Sequence, residues 1–354
     1  MKKTSIILLL ILICFCGCNN TSNDHKDIKQ ITIDSDFIKD EFVKYLESKI
    51  CDDGSFEYIT NLDGSKELDD YNLLRHSLSY VSLLSAYKND DLPSKKETIE
   101  KGIDFLIPSI IYKNEEEAFL MIYKDNEITL GSTSLAIVLM CDYQNKYDDD
   151  RYFEYAKKLS NGILSMQRLE GRFNHVFNSN FTFKEKERII YYEGEAVLAL
   201  CKIYDLTKDE RYINAARKAI DYYILSGYEA YGDHWQEYAV NEYSKYVEEN
   251  YILEYGLKNA NTVLENISKS SEVYNTNLET LNNGLEILAK YKYSGDSIIT
   301  REKLENAINN AKNDIINTYL SAKEKNKIEG FFAQKGYKSV RIDDIAHYIL
   351  ALCQ

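Results

Sequence analysis

Aligned with itself at an offset of 60 residues, the chain pairs Ala136 with Ala196, Cys141 with Cys201, Asp149 with Asp209, Arg151 with Arg211, Tyr152 with Tyr212, Ala156 with Ala216 and Lys158 with Lys218. The same offset pairs Tyr87 with Tyr147, Gly102 with Gly162 and Ile103 with Ile163, so at least three units share one plan. Within a unit, one segment is apolar nearly all round (196–204) and the next carries charge on one face (211–223). That contrast describes a helical hairpin whose first helix is buried and whose second is wet on one side. Only 2 prolines and 15 glycines interrupt 354 residues, of which 44% are hydrophobic, so long helices and a sizeable core are both within reach.

Carried through the chain, the plan predicts buried helices near 71–87, 131–147, 193–206, 234–248, 275–293 and 341–353. Outer helices fall near 36–49, 94–107, 150–167, 208–226, 250–268 and 299–323. Six such hairpins, alternating inner and outer helices, close into an all-α (α/α)6 toroid, a single domain over 33–354. Connections from inner to outer helices are short (88–93, 148–149, 207), whereas those from outer to inner are long (108–130, 168–192, 324–340). Long structured loops mark a working face. Two of them, 110–129 and 173–191, alternate in the manner of short β-hairpin insertions. All six inner helices start at this face, so their N-termini and dipoles converge on one cavity.

The N-terminus predicts the compartment. Lys2 and Lys3 precede the apolar run 6–15, which is too short to span a bilayer comfortably and reads as a signal peptide over 1–17. Its end, Phe15-Cys16-Gly17-Cys18, resembles the lipobox of bacterial lipoproteins. That resemblance implies cleavage after Gly17, a lipidated Cys18 and a cell-envelope location facing outside the cytoplasm, with 18–32 as a polar tether. The remaining cysteines, Cys51, Cys141, Cys201 and Cys353, form no CxxC and read as small hydrophobic residues. A formal net charge of -14 argues against a nucleic-acid partner.

Polar and aromatic side chains gather at the six inner-helix starts, where three of the five histidines and the sole tryptophan lie. The segments are 71–76 with Arg75 and His76, 130–133, 191–195 with Tyr192 and Glu195, 232–235 with Asp233, His234 and Trp235, 275–279 with Glu279, and 341–347 with Arg341, Asp343, Asp344 and His347. The hairpin count, Tyr192-Glu-Gly-Glu195, Asp233-His-Trp235 and the Arg-Ile-Asp343 segment together resemble the six-hairpin glycosidase-like superfamily. Its members cleave, epimerise or eliminate sugars in the mouth of such a toroid, so the resemblance implies an oligosaccharide or polysaccharide ligand.

The first expectation is a glycoside hydrolase-like enzyme, in which two of Glu195, Asp233 and Asp343 flank the scissile bond as acid and as base or nucleophile. A sugar epimerase or polysaccharide lyase is the alternative, with His76, His234 and His347 abstracting a proton beside a carbonyl or carboxylate. A non-catalytic glycan-binding lipoprotein is a third reading. Arg75, Tyr192, Trp235, Glu279 and Arg341 are the candidate substrate-binding residues, and a buried Arg75 calls for a carboxylate partner, Glu195 or Asp343. The histidines come from different helices with no HxH or HExxH spacing, so neither metal nor cofactor is expected. Every candidate has a structural competitor: Glu195, Asp233, Asp343 and Asp344 suit helix starts as caps, and each histidine suits a hydrogen-bonded core.

Overall fold

The computed structural model describes residues 33–354 apart from 64, 66–70, 89–92, 271–274, 293–297, 326 and 334–337. The signal peptide, Cys18 and the tether lie outside the described residues. Numbered in chain order, the outer helices are α1 (Ser35–Glu47), α3 (Pro93–Leu106), α5 (Phe153–Met166), α7 (Glu210–Leu225), α9 (Asn250–Ser270) and α11 (Arg301–Glu324). The inner helices are α2 (Leu73–Ala86), α4 (Leu130–Tyr147), α6 (Tyr191–Thr207), α8 (His234–Tyr243), α10 (Asn275–Lys290) and α13 (Ile342–Cys353), with a short α12 (Glu329–Phe332) before the last. Each inner helix packs on the next and α13 packs back on α2, which closes the ring.

Burial follows the sequence pattern. Helix α4 is buried without interruption from Leu130 to Cys141, because neighbours cover it on every side. Helix α7 buries only Tyr212, Ile213, Ala215, Ala216, Ala219, Ile220 and Tyr223, one stripe at helical spacing. The 60-residue repeat has a packing meaning. Tyr152 donates its hydroxyl to Asp104 of α3 at 2.8 Å and Tyr212 donates to Asn161 of α5 at 2.9 Å, so each repeat ties its outer helix to the preceding one. Cys141 and Cys201 are buried free thiols on successive inner helices, while Cys51 and Cys353 are half-buried and also free.

Helix α8 is shorter than its sequence pattern predicts, ending at Tyr243 rather than near 248. Ser244 turns its hydroxyl onto the Asn241 carbonyl at 2.7 Å and Tyr246 reaches back to Glu242 at 3.0 Å, so side chains close the last turn.

The strands are β1 (Ile59–Asn61), β2 (Ile110–Tyr112), β3 (Ala118–Ile122), β4 (Glu127–Thr129), β5 (Val176–Asn178), β6 (Phe183–Glu185) and β7 (Ser339–Arg341). All lie on outer-to-inner connections, at the face where the inner helices begin. The two expected insertions merge into one antiparallel sheet, β2-β3-β4-β5-β6, through a β4–β5 seam that sets Ile128 opposite Phe177. Strands β1 and β7 pair with Ile59 opposite Arg341, joining the first connection to the last.

Candidate active site

The inner-helix starts surround a cavity of about 330 Å³ whose walls include Arg75, Tyr191, Tyr192, Glu195, His234, Trp235, Arg341, Asp343, Asp344 and His347. Local capping places these side chains. Asn72 caps α2 by accepting from Leu74 and Arg75, and Asp233 caps α8 by accepting from the Trp235 amide. With each helix started at a fixed residue, the first-turn side chains of neighbouring parallel helices face one another.

Asp343 sits between two guanidinium groups. Arg75 Nε approaches its carboxylate at 3.1 Å, and Arg341 engages it through Nε and Nη2, each at 3.1 Å. Arg341 also reaches Asp344 at 3.2 Å. The partner expected for Arg75 is therefore Asp343 rather than Glu195. Arg75 is held further by the Tyr58 hydroxyl. Tyr58 lies in the connection before α2, and among 30 tyrosines no sequence signal singles it out.

One helical turn along α13 from Asp343, His347 faces His234 with ring centroids 5.1 Å apart at 78°. His347 donates its Nδ1 proton to Glu279 Oε1 at 2.8 Å. Burial alone would depress His347, but Glu279, followed by Asp343 and Asp344, raises it above its ordinary value. His234 is pushed well below its ordinary value by burial and then by repulsion from His347. Its Nε2 is buried without a hydrogen-bond partner. Glu279 is fully buried beneath the pair and acts on the cavity through His347.

Glu195 is 2% exposed, and burial followed by repulsion from Asp233 raises its carboxyl well above the usual range. Its Oε2 is buried and unpartnered. Trp235 forms the floor with only 4% exposure, and its other side lines a second cavity of about 300 Å³ among the far ends of the inner helices. The aromatic face open at the mouth is instead that of Tyr191, 45% exposed and 5.3 Å from the His234 ring.

Three expected residues do not reach the cavity wall: His76, Asp233 and Glu279, the last buried behind His347. His76 is turned away into the core, where Nε2 donates to the Gly102 carbonyl at 2.8 Å and Nδ1 accepts from the Tyr71 hydroxyl at 2.6 Å. Both ring nitrogens are occupied and burial lowers its pKa to about 4, so it is a neutral structural histidine. Asp233 is the cap of α8, 2% exposed and anchored to Asn259, and burial raises its pKa to about 7. Sequence reasoning also passed over Glu237, one helical turn after His234, which is fully buried and accepts from Asn259 at 2.7 Å. The His-x-x-Glu spacing on α8 was the available signal. Among the described residues, His234, Glu279 and His347 form a group with metal-ligand spacing.

No family profile and no curated protein matches the chain. Among solved structures it is similar to a cellobiose 2-epimerase from Bacillus thermoamylovorans at 12% identity, over 90% of this chain and 99% of that one, with TM-score 0.64. An unsaturated glucuronyl hydrolase specific for heparin is similar at 10% identity over 90% and 95% of the two chains, with TM-score 0.64. A D-mannose isomerase is similar at 10% identity over 92% and 98%, with TM-score 0.59. With its closed inner ring, its outer ring and a cavity at the inner-helix N-termini, the chain shares the (α/α)6 toroid fold of these solved structures.

Proposed function

We propose that this protein is a carbohydrate-active enzyme that moves a proton at the carbon beside a sugar carbonyl, as a sugar epimerase or isomerase, with His234 and His347 as its acid–base pair. The observation that carries this reading is the opposed imidazole pair, 5.1 Å between centroids, with pKa values driven apart in one cavity. Neutral His234 takes the proton through its unpartnered Nε2, so the C–H bond breaks and its electron pair passes to the carbonyl oxygen. A guanidinium at the wall, Arg75 or Arg341, stabilises that developing oxyanion. His347, hydrogen-bonded to Glu279, returns a proton to the same carbon from the other face, or to the neighbouring carbon while the proton of the C2 hydroxyl passes to the oxyanion. The first outcome is an epimer and the second an isomer.

A cellobiose 2-epimerase and a D-mannose isomerase among the similar structures support this reading, while the glucuronyl hydrolase among them favours the second one, glycoside hydrolysis. Glu195 at the wall, its carboxyl pushed upward by burial, suits a leaving-group acid, but the partner carboxylate, Asp343, is clamped by two arginines. One experiment separates the two. Incubated with reducing sugars in deuterium oxide, the protein is expected to exchange the C2 proton, read by NMR. His234→Gln and His347→Gln should each slow exchange by about 10²–10⁴-fold, while Glu195→Gln retains it. A protein that releases sugars from oligosaccharides without either histidine and stops in Glu195→Gln is a hydrolase instead.

The lysine-flanked apolar segment and its Gly17-Cys18 end support attachment to a bacterial membrane through lipidated Cys18, facing outside the cytoplasm. Metabolic labelling with a fatty-acid analogue should mark the native chain and not Cys18→Ser; equal labelling of both would refute the anchor.

A further inference from the structure

We propose that His234, Glu279 and His347 also form a binding site for a divalent transition-metal ion of the zinc class, and that a bound ion takes both histidines out of proton transfer. The second half rests on the acid–base reading above, whereas the site itself does not. Each residue offers one ligand atom, and these atoms lie within 4.8 Å of one another. They come from α8, α10 and α13, three packed inner helices, so the donor set is fixed by rigid elements rather than by a loop. No motif announces it because the ligands are contributed by helices distant in sequence.

Two polar atoms of the set are left without a hydrogen bond of standard geometry. His234 Nε2 and Glu279 Oε2 are both buried without a hydrogen-bond partner, on residues 5% and 0% exposed. Two imidazoles and one carboxylate are a donor set suited to zinc, with a fourth position left to water or ligand. His234 and His347 both line the cavity, so a water or ligand there is within reach of the two imidazoles. Repulsion from the neighbouring guanidinium groups is offset, since Arg75 and Arg341 are engaged by Asp343 and Asp344.

The test is calorimetric titration of the chelator-stripped full chain with zinc sulfate, with cobalt(II) visible spectra as a geometric readout. One ion per chain is expected, with cobalt bands of four- or five-coordination. His234→Gln and His347→Gln, each checked for native circular dichroism, should weaken binding by more than about 100-fold, since loss of a mere supporting partner already costs about 10–100-fold. A Cys51→Ser/Cys353→Ser variant should bind as the native chain does, excluding the half-buried thiols as the ligands. Absence of binding, or binding that survives the loss of both histidines, overturns the site. Zinc that binds there and leaves proton exchange intact overturns the inhibition. A metal-free protein without proton exchange would refute the proposed function and leave the binding result to decide the site.

Discussion

Gly194 sits on α6 where the backbone of α8 comes closest, and Gly194→Ala tests whether that approach holds the site together. A Cβ built at Gly194 meets the Trp235 carbonyl carbon at 2.5 Å, the Gln236 nitrogen at 2.7 Å and the Trp235 Cβ at 2.7 Å. Two of these atoms are backbone and cannot rotate away, so α8 must retreat by about 1 Å to restore van der Waals distance. Overpacking costs about 1–3 kcal/mol, with backbone contact at the upper end. Alanine's better helix propensity offsets about 1 kcal/mol of that, leaving a net loss of about 2 kcal/mol. At a urea dependence of about 3 kcal/mol per molar, the unfolding midpoint falls by about 0.7 M. Fluorescence of Trp235, the sole tryptophan, reports the transition at the contact itself. The same retreat displaces His234, and a shift of about 1 Å at a reacting group costs about 100-fold in rate. Gly330→Ala is the control, because nothing lies within 4 Å of its added Cβ, and it should be neutral or slightly stabilising. A Gly194→Ala protein with an unchanged or higher midpoint and full activity would refute the close-approach argument.

Asp233→Asn keeps the cap of α8 and removes a carboxyl that burial raises from 3.8 to about 7. The folded state favours its protonated form, so native stability is fully present below about pH 4 and declines as pH rises to about 7; the variant should lack that slope in denaturation curves taken across this range. In Glu279→Gln the His347 pKa should fall, because Glu279 is the largest influence raising it. His347's protonation stabilises the fold below its unfolded pKa of 6.5 and is lost as pH rises through the raised folded value, so NMR titration of the ring should show the transition at lower pH in the variant. Lys202→Met removes the ammonium between Asp142 at 2.8 Å and Glu242 at 3.4 Å. Thermal or urea unfolding should show a loss of about 3 kcal/mol, the lower end for a buried pair, because Glu242 keeps Lys245.

The helix order and the ring were legible in the sequence because burial leaves a mark on composition. A helix covered on all sides, such as α4, is apolar all round, while α7 keeps its charge on one face, and the 60-residue repeat carries that contrast from unit to unit. The rim was legible for a geometric reason. Parallel inner helices bring their first turns to one end, so Arg75, Glu195, His234, Asp343 and His347 gather around a single cavity despite their separation in the chain. The same all-round burial hid the rest. A helix without a polar stripe does not say which of its sides looks into the ring, so nothing in the sequence told that Arg75 faces the cavity while His76, the next residue, turns to Tyr71 and Gly102. Nor could it tell that Glu279 lies under His347, or that β4 pairs with β5. Those contacts depend on the rotation and stagger of neighbouring helices, and side-chain packing between elements far apart in the chain sets both.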